Sequence, residues 1–355
     1  RMSDRILFSP VGSRDPFSGG DDGALVHIVR HYRPDVVVLY LSEEMANNEA
    51  KDQRYSRAAQ SLNPKVSVRK IESAVPDIHR SDVLIPEFRS ILTELSSKYP
   101  QAELLLNTTS GTPAMQAALI ALNAFGLPPT QAIQVADPLY VSSENRCLPV
   151  TSAALGVLLQ RENLRRLVEN YEYEGARSLA SAACIPESAR LLVIGAAERR
   201  RLDLKGAQPR FQGSPFTVDP RKDLSEAVSA LEVLRKKGTW LDFARSITPI
   251  VDDLVNKRLG VPRRDLPREF PSRFGMLDER TRKEWQPFLD FHQRVRNNAA
   301  HELVTLDDKR IKDQCGHSPT KLLSLLAEAT RADLTLYDQI NAEIVSQVDG
   351  APLHL

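Results

Sequence analysis

Within Phe288–Val304 (FLDFHQRVRNNAAHELV), Arg296, Asn297 and His301 fall close together in a segment with helical spacing. Each brings a different chemical capacity. A guanidinium stays charged at any working pH, so Arg296 can hold a phosphate and offset developing negative charge. An imidazole titrates near neutrality, so His301 can move a proton. The Asn297 amide can orient His301 or a backbone phosphate. Together the three are equipped to cleave a phosphodiester. They are also what a polar surface helix ordinarily carries, and the rest of the chain must decide.

Helix geometry limits how the trio works. At about 100° per residue, Asn297 and His301 share a face about 40° apart, while Arg296 lies about 140° from His301. Phe288, Phe291, Val295 and Ala299 make the apolar side, and small residues surround Asn297 and His301. The three do not stack on one line. Either Arg296 swings towards the others, or the trio straddles an interface with a second copy.

The elements that position this segment follow from composition and pattern. With 355 residues, two or three domains are expected. A hydrophobic fraction of 42% and a charged fraction of 26% fit a globular protein. The net charge of +1 excludes a global field for nucleic acid or membrane, so any nucleic-acid site must be a local patch. Cys147, Cys184 and Cys315 match no paired spacing, which argues against a disulfide framework or structural zinc and fits a reducing, cytoplasmic setting. No signal-peptide-like segment opens the sequence, and no apolar run approaches the roughly 20 residues of a membrane span.

Residues 2–150 alternate strand-like and helix-like segments. Strands are expected at Arg5–Ser9, Asp35–Leu41, Lys65–Ile71, Glu103–Asn107 and Ala132–Ala136, and helices at Ala24–Tyr32, Glu49–Leu62, Val83–Tyr99 and Pro113–Phe125. This is the pattern of a doubly wound, Rossmann-like α/β domain with a parallel sheet. Ligands bind such sheets beyond the carboxyl ends of the strands. Two loops stand there: Ser9–Pro16 (SPVGSRDP) and Asn107–Pro113 (NTTSGTP). The second offers hydroxyls and backbone donors at a helix start, suited to phosphate or ribose; a helix cap at Ser110 or Thr112 explains it equally well. Neither G-x-G-x-x-G nor G-x-x-x-x-G-K is present, which counts against NAD and ATP.

Three stretches in order, Ser9–Phe17 (SPVGSRDPF), Asp21–Glu43 (DDGALVHIVRHYRPDVVVLYLSE) and Leu104–Leu119 (LLLNTTSGTPAMQAAL), resemble the CARF domain of CRISPR-associated ancillary ribonucleases, more narrowly the type III Csm-six family. Members pair an N-terminal CARF sensor with an all-α C-terminal HEPN nuclease, and Arg296–His301 (RNNAAH) resembles the HEPN signature. The resemblance implies a CARF domain over 2–150 and a helical linker with the HEPN domain over 151–355. It implies catalysis by Arg296, Asn297 and His301 on single-stranded RNA, and a homodimer that completes the nuclease site. It implies no cofactor and no metal, but a cyclic oligoadenylate activator, the six-membered ring favoured over the four-membered one. Gly12, Ser13, Arg14 and Asp15 would line the activator pocket from one loop, and Asn107, Thr108, Thr109, Ser110, Gly111 and Thr112 from the other. Some family sensors degrade their activator, a role that would fall to Thr112. The loop carries TTSG where relatives often have a second glycine, which puts the pocket shape in doubt.

After Pro149 strand signals almost vanish, and the half reads as all-α: Thr151–Tyr171, Tyr173–Cys184, Ser188–Leu202, Leu224–Lys237, Trp240–Leu259, Glu279–Val304 and Thr320–Val348 have helical spacing. Lys205–Pro220 and Gly260–Pro271 read as connectors. Arg263, Arg264, Arg268 and Arg273 form either a phosphate-steering rim or a solvated loop. His27 and His31 are expected to be structural or on the surface, Trp240 and Trp285 in the core, and Phe211 and Phe216 to pack a loop down rather than stack on RNA bases. RNA carries its own nucleophile, the 2′-hydroxyl, so the trio would leave a 2′,3′-cyclic phosphate (or 3′-phosphate) and a 5′-hydroxyl without a metal. Two other readings compete: a ligand-sensing regulator that binds nucleic acid or protein without cutting, which needs a basic recognition helix, and a metal-dependent nuclease, which needs an acidic D…E-x-K set. Neither feature stands out.

Overall fold

A computed structural model describes residues 4–126, 128–141, 143–150, 153–181, 183–297 and 305–352. His301 and Ala299 therefore lie outside the described residues, with the rest of 298–304. The chain divides into two compact units, the first ending at Leu158 and the second running Leu159–Pro352. Among the described residues, no helix is long and apolar enough to cross a membrane.

The first unit is built on a six-stranded sheet. In chain order its strands are β1 (Arg5–Pro10), β4 (Val36–Leu41), β5 (Ser67–Glu72), β6 (Glu103–Asn107), β7 (Gln131–Val135) and β8 (Cys147–Val150); the two-residue strands β2 (Phe17–Ser18) and β3 (Asp21–Asp22) form a separate hairpin. The spatial order is β5-β4-β1-β6-β7-β8. The first five strands are parallel, and β8 joins β7 antiparallel. Leu7, Val37, Leu39 and Leu105 face a core shared with helix α1 (Ala24–Tyr32). Ile6, Phe8, Val38, Tyr40, Leu104 and Leu106 face the other side, against α4 (Ser81–Lys98) and α5 (Pro113–Phe125). Alternate residues of each strand thus bury opposite faces, which is why the central strands read as unbroken apolar runs. The expected doubly wound architecture is what forms. From β1 the chain winds outwards through β4 to β5, then returns to place β6 on the other side of β1. The loops after β1 and β6 therefore flank the point where the winding reverses.

Three local differences from the sequence reading have physical causes. The helix expected over Glu49–Leu62 is two, Glu43–Asp52 and Arg54–Leu62, broken at Gln53 with φ 55°. The buried Glu49 carboxylate makes the break tenable: its Oε2 accepts from Tyr55 N at 2.9 Å, capping the second helix from the turn before it. The strand β8 is too short to show a pattern, and its Pro149 is tolerated at a sheet edge. The long helix expected over Thr320–Val348 is Pro319–Thr330 and Leu336–Asp349, separated at Arg331, which takes a left-handed conformation with φ 58°.

The second unit is helical, with two apolar cores. Leu164, Val168, Leu192, Val193, Phe211, Phe216, Ile340 and Ile344 belong to one. Phe243, Ile247, Val251, Phe270, Phe274, Trp285, Phe288, Phe291, Val295, Leu322 and Leu326 belong to the other. Phe211 and Phe216 pack edge-on at 6.3 Å between centroids inside the first core, as expected of loop-anchoring aromatics. Helices at Leu204–Arg210 and Asp308–Cys315 were not expected from the sequence.

Candidate functional site

The second core positions the sequence motif. The helix Glu279–Phe291 starts at an Asp278 cap, whose side chain accepts from Thr281 N at 2.9 Å, and buries Trp285, Phe288 and Phe291. Beyond Phe291 the backbone turns π-helical over His292–Arg296, with Asn297 N–H donating to His292 O five residues back. Val295 is fully buried, and Arg296 and Asn297 emerge half-buried. Such a turn holds more residues than an ideal α-turn, so the wheel angles calculated for 3.6 residues per turn do not carry through Arg296. Single π-turns recur at functional sites. Arg296 Nη1 lies 3.4 Å from Asn297 Oδ1, a long contact. His292, one turn earlier, packs against Phe270 with the rings tilted and their centroids 4.7 Å apart; burial, and then the charge of Arg296, push its pKa down.

The four arginines of the neighbouring connector separate by role. Arg273 is buried, pairs with Asp252 and donates to the Pro267 and Arg268 carbonyls, so it pins the connector. Arg263 sits 3.4 Å from Asp252 and Arg264 3.8 Å from Asp265, both with their side chains largely exposed. Arg268 is exposed.

In the first unit a cavity of about 840 Å³ lies at the carboxyl ends of the sheet strands, a size suited to a small-molecule ligand. Of the residues named from the sequence, Gly12, Ser13, Arg14, Asp15, Thr109, Ser110 and Gly111 line it. Asn107, Thr108 and Thr112 lie beneath or beside that lining and shape it. Asn107 is fully buried. Its Nδ2 donates to Ser9 Oγ and Ser110 Oγ, both at 2.9 Å, and its Oδ1 accepts from Thr109 N at 3.0 Å and Ser110 N at 3.2 Å. Thr108 Oγ1 donates to Ile133 O at 3.0 Å, which ties the loop to β7. Thr112 caps α5, accepting from Met115 N at 3.2 Å, and donates to Ile78 O at 2.8 Å. The cap reading of this loop therefore holds for Thr112, while Ser110 borders the cavity with its hydroxyl held by Asn107 and Asp15.

The two loops touch through glycines. A Cβ on Gly12 would stand 2.9 Å from Gly111 N, and one on Gly111, at φ +84°, would stand 2.8 Å from Pro10 Cβ. Asp15 braces the first loop: its carboxylate accepts from Gly12 N at 3.0 Å and Leu25 N at 3.1 Å, and burial raises its pKa.

Among the residues of the cavity wall that sequence reading missed are Gln116, Asp137 and Arg146. Gln116 Nε2 donates to Thr109 O at 2.7 Å. The buried Arg146 donates to Ala136 O at 2.7 Å and Asp22 O at 3.0 Å, and its backbone N–H donates to His27 Nε2 at 2.9 Å. That bond makes His27 a neutral acceptor. Burial first, then Arg146, lowers its pKa to about 4. Of the two readings open from the sequence, structural or surface, His27 takes the structural one.

The chain thus joins a doubly wound sheet, with a ligand-sized cavity at its winding reversal, to a helical unit that presents Arg296 and Asn297. Comparison with known proteins says which family carries this pairing. The CARF domain of Csm6 matches residues 67–152, which include the Asn107–Thr112 loop, and the HEPN domain of Csm6 matches 275–345, which include Arg296–His301. CRISPR system endoribonuclease Csm6 of Mycobacterium tuberculosis (strain ATCC 25618 / H37Rv) is 39% identical over 413 aligned residues, covering 98% of this chain and all of that one. The Enterococcus italicus endoribonuclease Csm6 is 30% identical over 208 residues, about half of each chain. A solved structure of Enterococcus italicus Csm6 bound to cyclic hexa-2′-fluoro-hexa-dAMP shares the fold, with TM-score 0.78 and 22% identity over 97% of this chain and all of that one. The chain belongs to the CRISPR system endoribonuclease Csm6 family and is an endoribonuclease with CARF and HEPN domains.

Proposed function

We propose that this endoribonuclease is switched on by a cyclic oligoadenylate held in the first unit, and that it cuts single-stranded RNA without a metal in the second, in type III CRISPR antiviral defence. The observation that carries the reading is the cavity at the winding reversal, whose two loops offer hydroxyls, backbone donors and Arg14 to a polar ligand. The Enterococcus italicus relative, bound to a cyclic hexa-nucleotide analogue, supports it and favours the six-membered ring. The sensor takes residues 2–150, and a helical linker with the nuclease takes 151–355. Ser13, Arg14, Thr109 and Ser110 meet the ligand directly, with the backbones of Gly12 and Gly111; Asp15, Asn107, Thr108 and Thr112 hold the loops.

In the nuclease, the 2′-hydroxyl of RNA attacks the adjacent phosphorus and the 5′-oxygen leaves, giving a 2′,3′-cyclic phosphate and a 5′-hydroxyl. Arg296 stabilises the charge that builds on the phosphorane oxygens. His301 transfers the proton, and Asn297 orients His301 or the phosphate. One imidazole is poorly suited to serve as base and acid together, so a homodimer that brings two copies of the trio to one site completes the chemistry. Ligand binding raises activity to the extent that the active arrangement binds the ligand more tightly than the inactive one.

A fluorogenic RNA assay in EDTA, with cyclic tetra-adenylate and cyclic hexa-adenylate added separately, tests the reading. Stimulation by the hexamer, abolished in His301→Ala, is the expected result. Failure of both rings to stimulate, or a His301→Ala protein that cuts normally, overturns it.

A further inference from the structure

The turn between β7 and β8 displays two large apolar side chains that the fold does not use. Leu139 is 85% exposed and Tyr140 87% exposed. Leu139 lines the cavity, and Tyr140 follows it in the same turn. Asp137 orders this turn. Its backbone oxygen accepts from Tyr140 N at 3.0 Å and from Val141 N at 3.2 Å, and its Oδ1 accepts from Leu139 N at 2.9 Å. The stem is also clamped. Ala136 and Arg146 bond through their backbones at 2.9 Å, and the Arg146 guanidinium holds Ala136 O and Asp22 O. Across the cavity mouth Arg14 Nη1 approaches Asp137 Oδ2 at 3.6 Å.

Leaving a Leu and a Tyr in water on a hydrogen-bonded turn forgoes burial that would otherwise stabilise the chain. Their position gives that exposure a use. The cavity floor is polar, with hydroxyls and backbone donors, and suits phosphate and ribose. A ligand that also carries flat apolar rings needs a rim with apolar faces. From this juxtaposition we propose that Leu139 and Tyr140 are the base-contacting rim of the sensor pocket, with Tyr140 stacking on a nucleobase of the bound ligand. The proposal rests on the reading of the cavity as a nucleotide-ligand site and adds the residues that read the base. Base–aromatic stacking tolerates any base, so the rim contributes affinity, and the polar floor selects the sugar–phosphate ring.

Titration calorimetry of the full chain with cyclic hexa-adenylate tests this, alongside the activation midpoint and the RNA turnover at saturating activator. The expected result for Tyr140→Ala is a loss of affinity of about tenfold or more, as removal of one stacking partner typically gives. The activation midpoint should rise in parallel, with saturated turnover unchanged. Tyr140→Phe should restore wild-type affinity, and in Tyr140→Trp the added indole should be quenched by the ligand. Phe17→Ala, an exposed aromatic on the neighbouring hairpin that is not part of the cavity wall, should bind as wild type does. If the wild-type protein binds neither cyclic hexa- nor cyclic tetra-adenylate, the reading of the cavity itself fails. If the wild-type protein binds while Tyr140→Ala and Leu139→Ala bind equally well, this inference alone is overturned. It is also overturned if light scattering shows that a variant carrying both Leu139→Ala and Tyr140→Ala loses an association between chains that wild type has, since the two side chains then serve chain–chain contact.

Discussion

Two asparagines, one in each unit, are held in contrasting ways. Asn107 spends both ends of its amide on the loop around it and is sealed from solvent. Asn297 stands half-buried on a π-turn, its side chain in only a long contact with Arg296 among the described residues. The same contrast holds for their surroundings. In the sensor pocket, Asp15, Thr108, Thr112, Gln116 and Arg146 each brace backbone, so the cavity is preformed. Preformed donors lose little freedom when a ligand arrives, which favours affinity. Around Arg296 the neighbours fix the helix rather than the head group: Phe288, Phe291 and Val295 anchor it from behind. On the proposed reading, in which a second chain and a substrate complete the site, reacting groups left under-constrained until both arrive are what the chemistry calls for.

Substitution at the nuclease trio offers the largest effect. His301→Ala and Arg296→Ala should each lower RNA turnover by a factor of about 10²–10⁴, as loss of a proton-transfer or charge-stabilising group does. Ligand affinity and the unfolding midpoint should stay at wild-type values, because Arg296 makes no buried ion pair among the described residues. Loss of cyclic hexa-adenylate binding in either variant, read by calorimetry, would break the contrast by showing that the trio supports the fold.

A smaller effect concerns His27, the buried brace behind the pocket. Its folded-state pKa of about 4 lies below the 6.5 of an exposed imidazole, through burial and then the charges of Arg146 and His31, with Asp22 opposing. Between these values the unfolded chain binds a proton that the folded chain refuses. The stability from neutral His27 is therefore complete above pH 6.5, declines as the pH falls, and is down by roughly 3 kcal/mol near pH 4. Urea unfolding at pH 7 and pH 5 should show that decline, and His27→Gln, which keeps an acceptor for Arg146 N–H but cannot titrate, should flatten it. Equal slopes for the two proteins would show that the imidazole carries no such load.

How much of this was legible depended on whether the cause was local. The parallel sheet was, because buried strands write continuous apolar runs such as Val36–Leu41, and the two loops that line the cavity were, because Gly, Ser and Thr cluster where strands give way to helices. The inward aim of Asn107 was also available in principle: period-two alternation puts it on the face of Leu105, inside the sheet. Arg146 was not. Its partners Asp22 and His27 are more than a hundred residues away in sequence, and no spacing rule reaches that far. The π-turn escaped for a different reason. Its apolar positions, Phe288, Phe291 and Val295, are spaced as an α-helix would space them, so the pattern that revealed the helix concealed its change of pitch.

Asn107→Ala sharpens the contrast from the sensor side. It should cost about 1–3 kcal/mol of stability, since the buried hydroxyls of Ser9 and Ser110 each lose their donor. Asn107→Asp keeps the acceptor for Thr109 N and Ser110 N but brings an uncompensated buried carboxylate beside those hydroxyls, so it should bind ligand no better. Asn297→Ala, by comparison, should leave the denaturation midpoint nearly unmoved. If Asn297→Ala proved the more destabilising of the two in matched urea titrations, the assignment of bracing to the pocket and freedom to the nuclease turn would be reversed.

Gly111→Ala is the smallest change and the most local. At φ +84° an L side chain sits in the left-handed region, at a cost of about 1–2 kcal/mol. The added methyl also meets Pro10 Cβ and Met115 Sδ, at 2.8 and 2.9 Å. Met115 can bend away, but Pro10 closes β1 and cannot. The strain should therefore move the loop rather than the strand, and the loop carries Thr109 and Ser110. Affinity for cyclic hexa-adenylate should fall further than the modest drop in stability accounts for, while activity at saturating ligand is kept. Gly213→Ala, at a similar φ of +81° with open space around it, bears the backbone cost alone. The difference between the two variants isolates what close contact between the loops contributes to the pocket. Equal ligand affinity in both would mean that the pocket tolerates movement of its own wall, and the preformed-cavity half of the contrast would not stand.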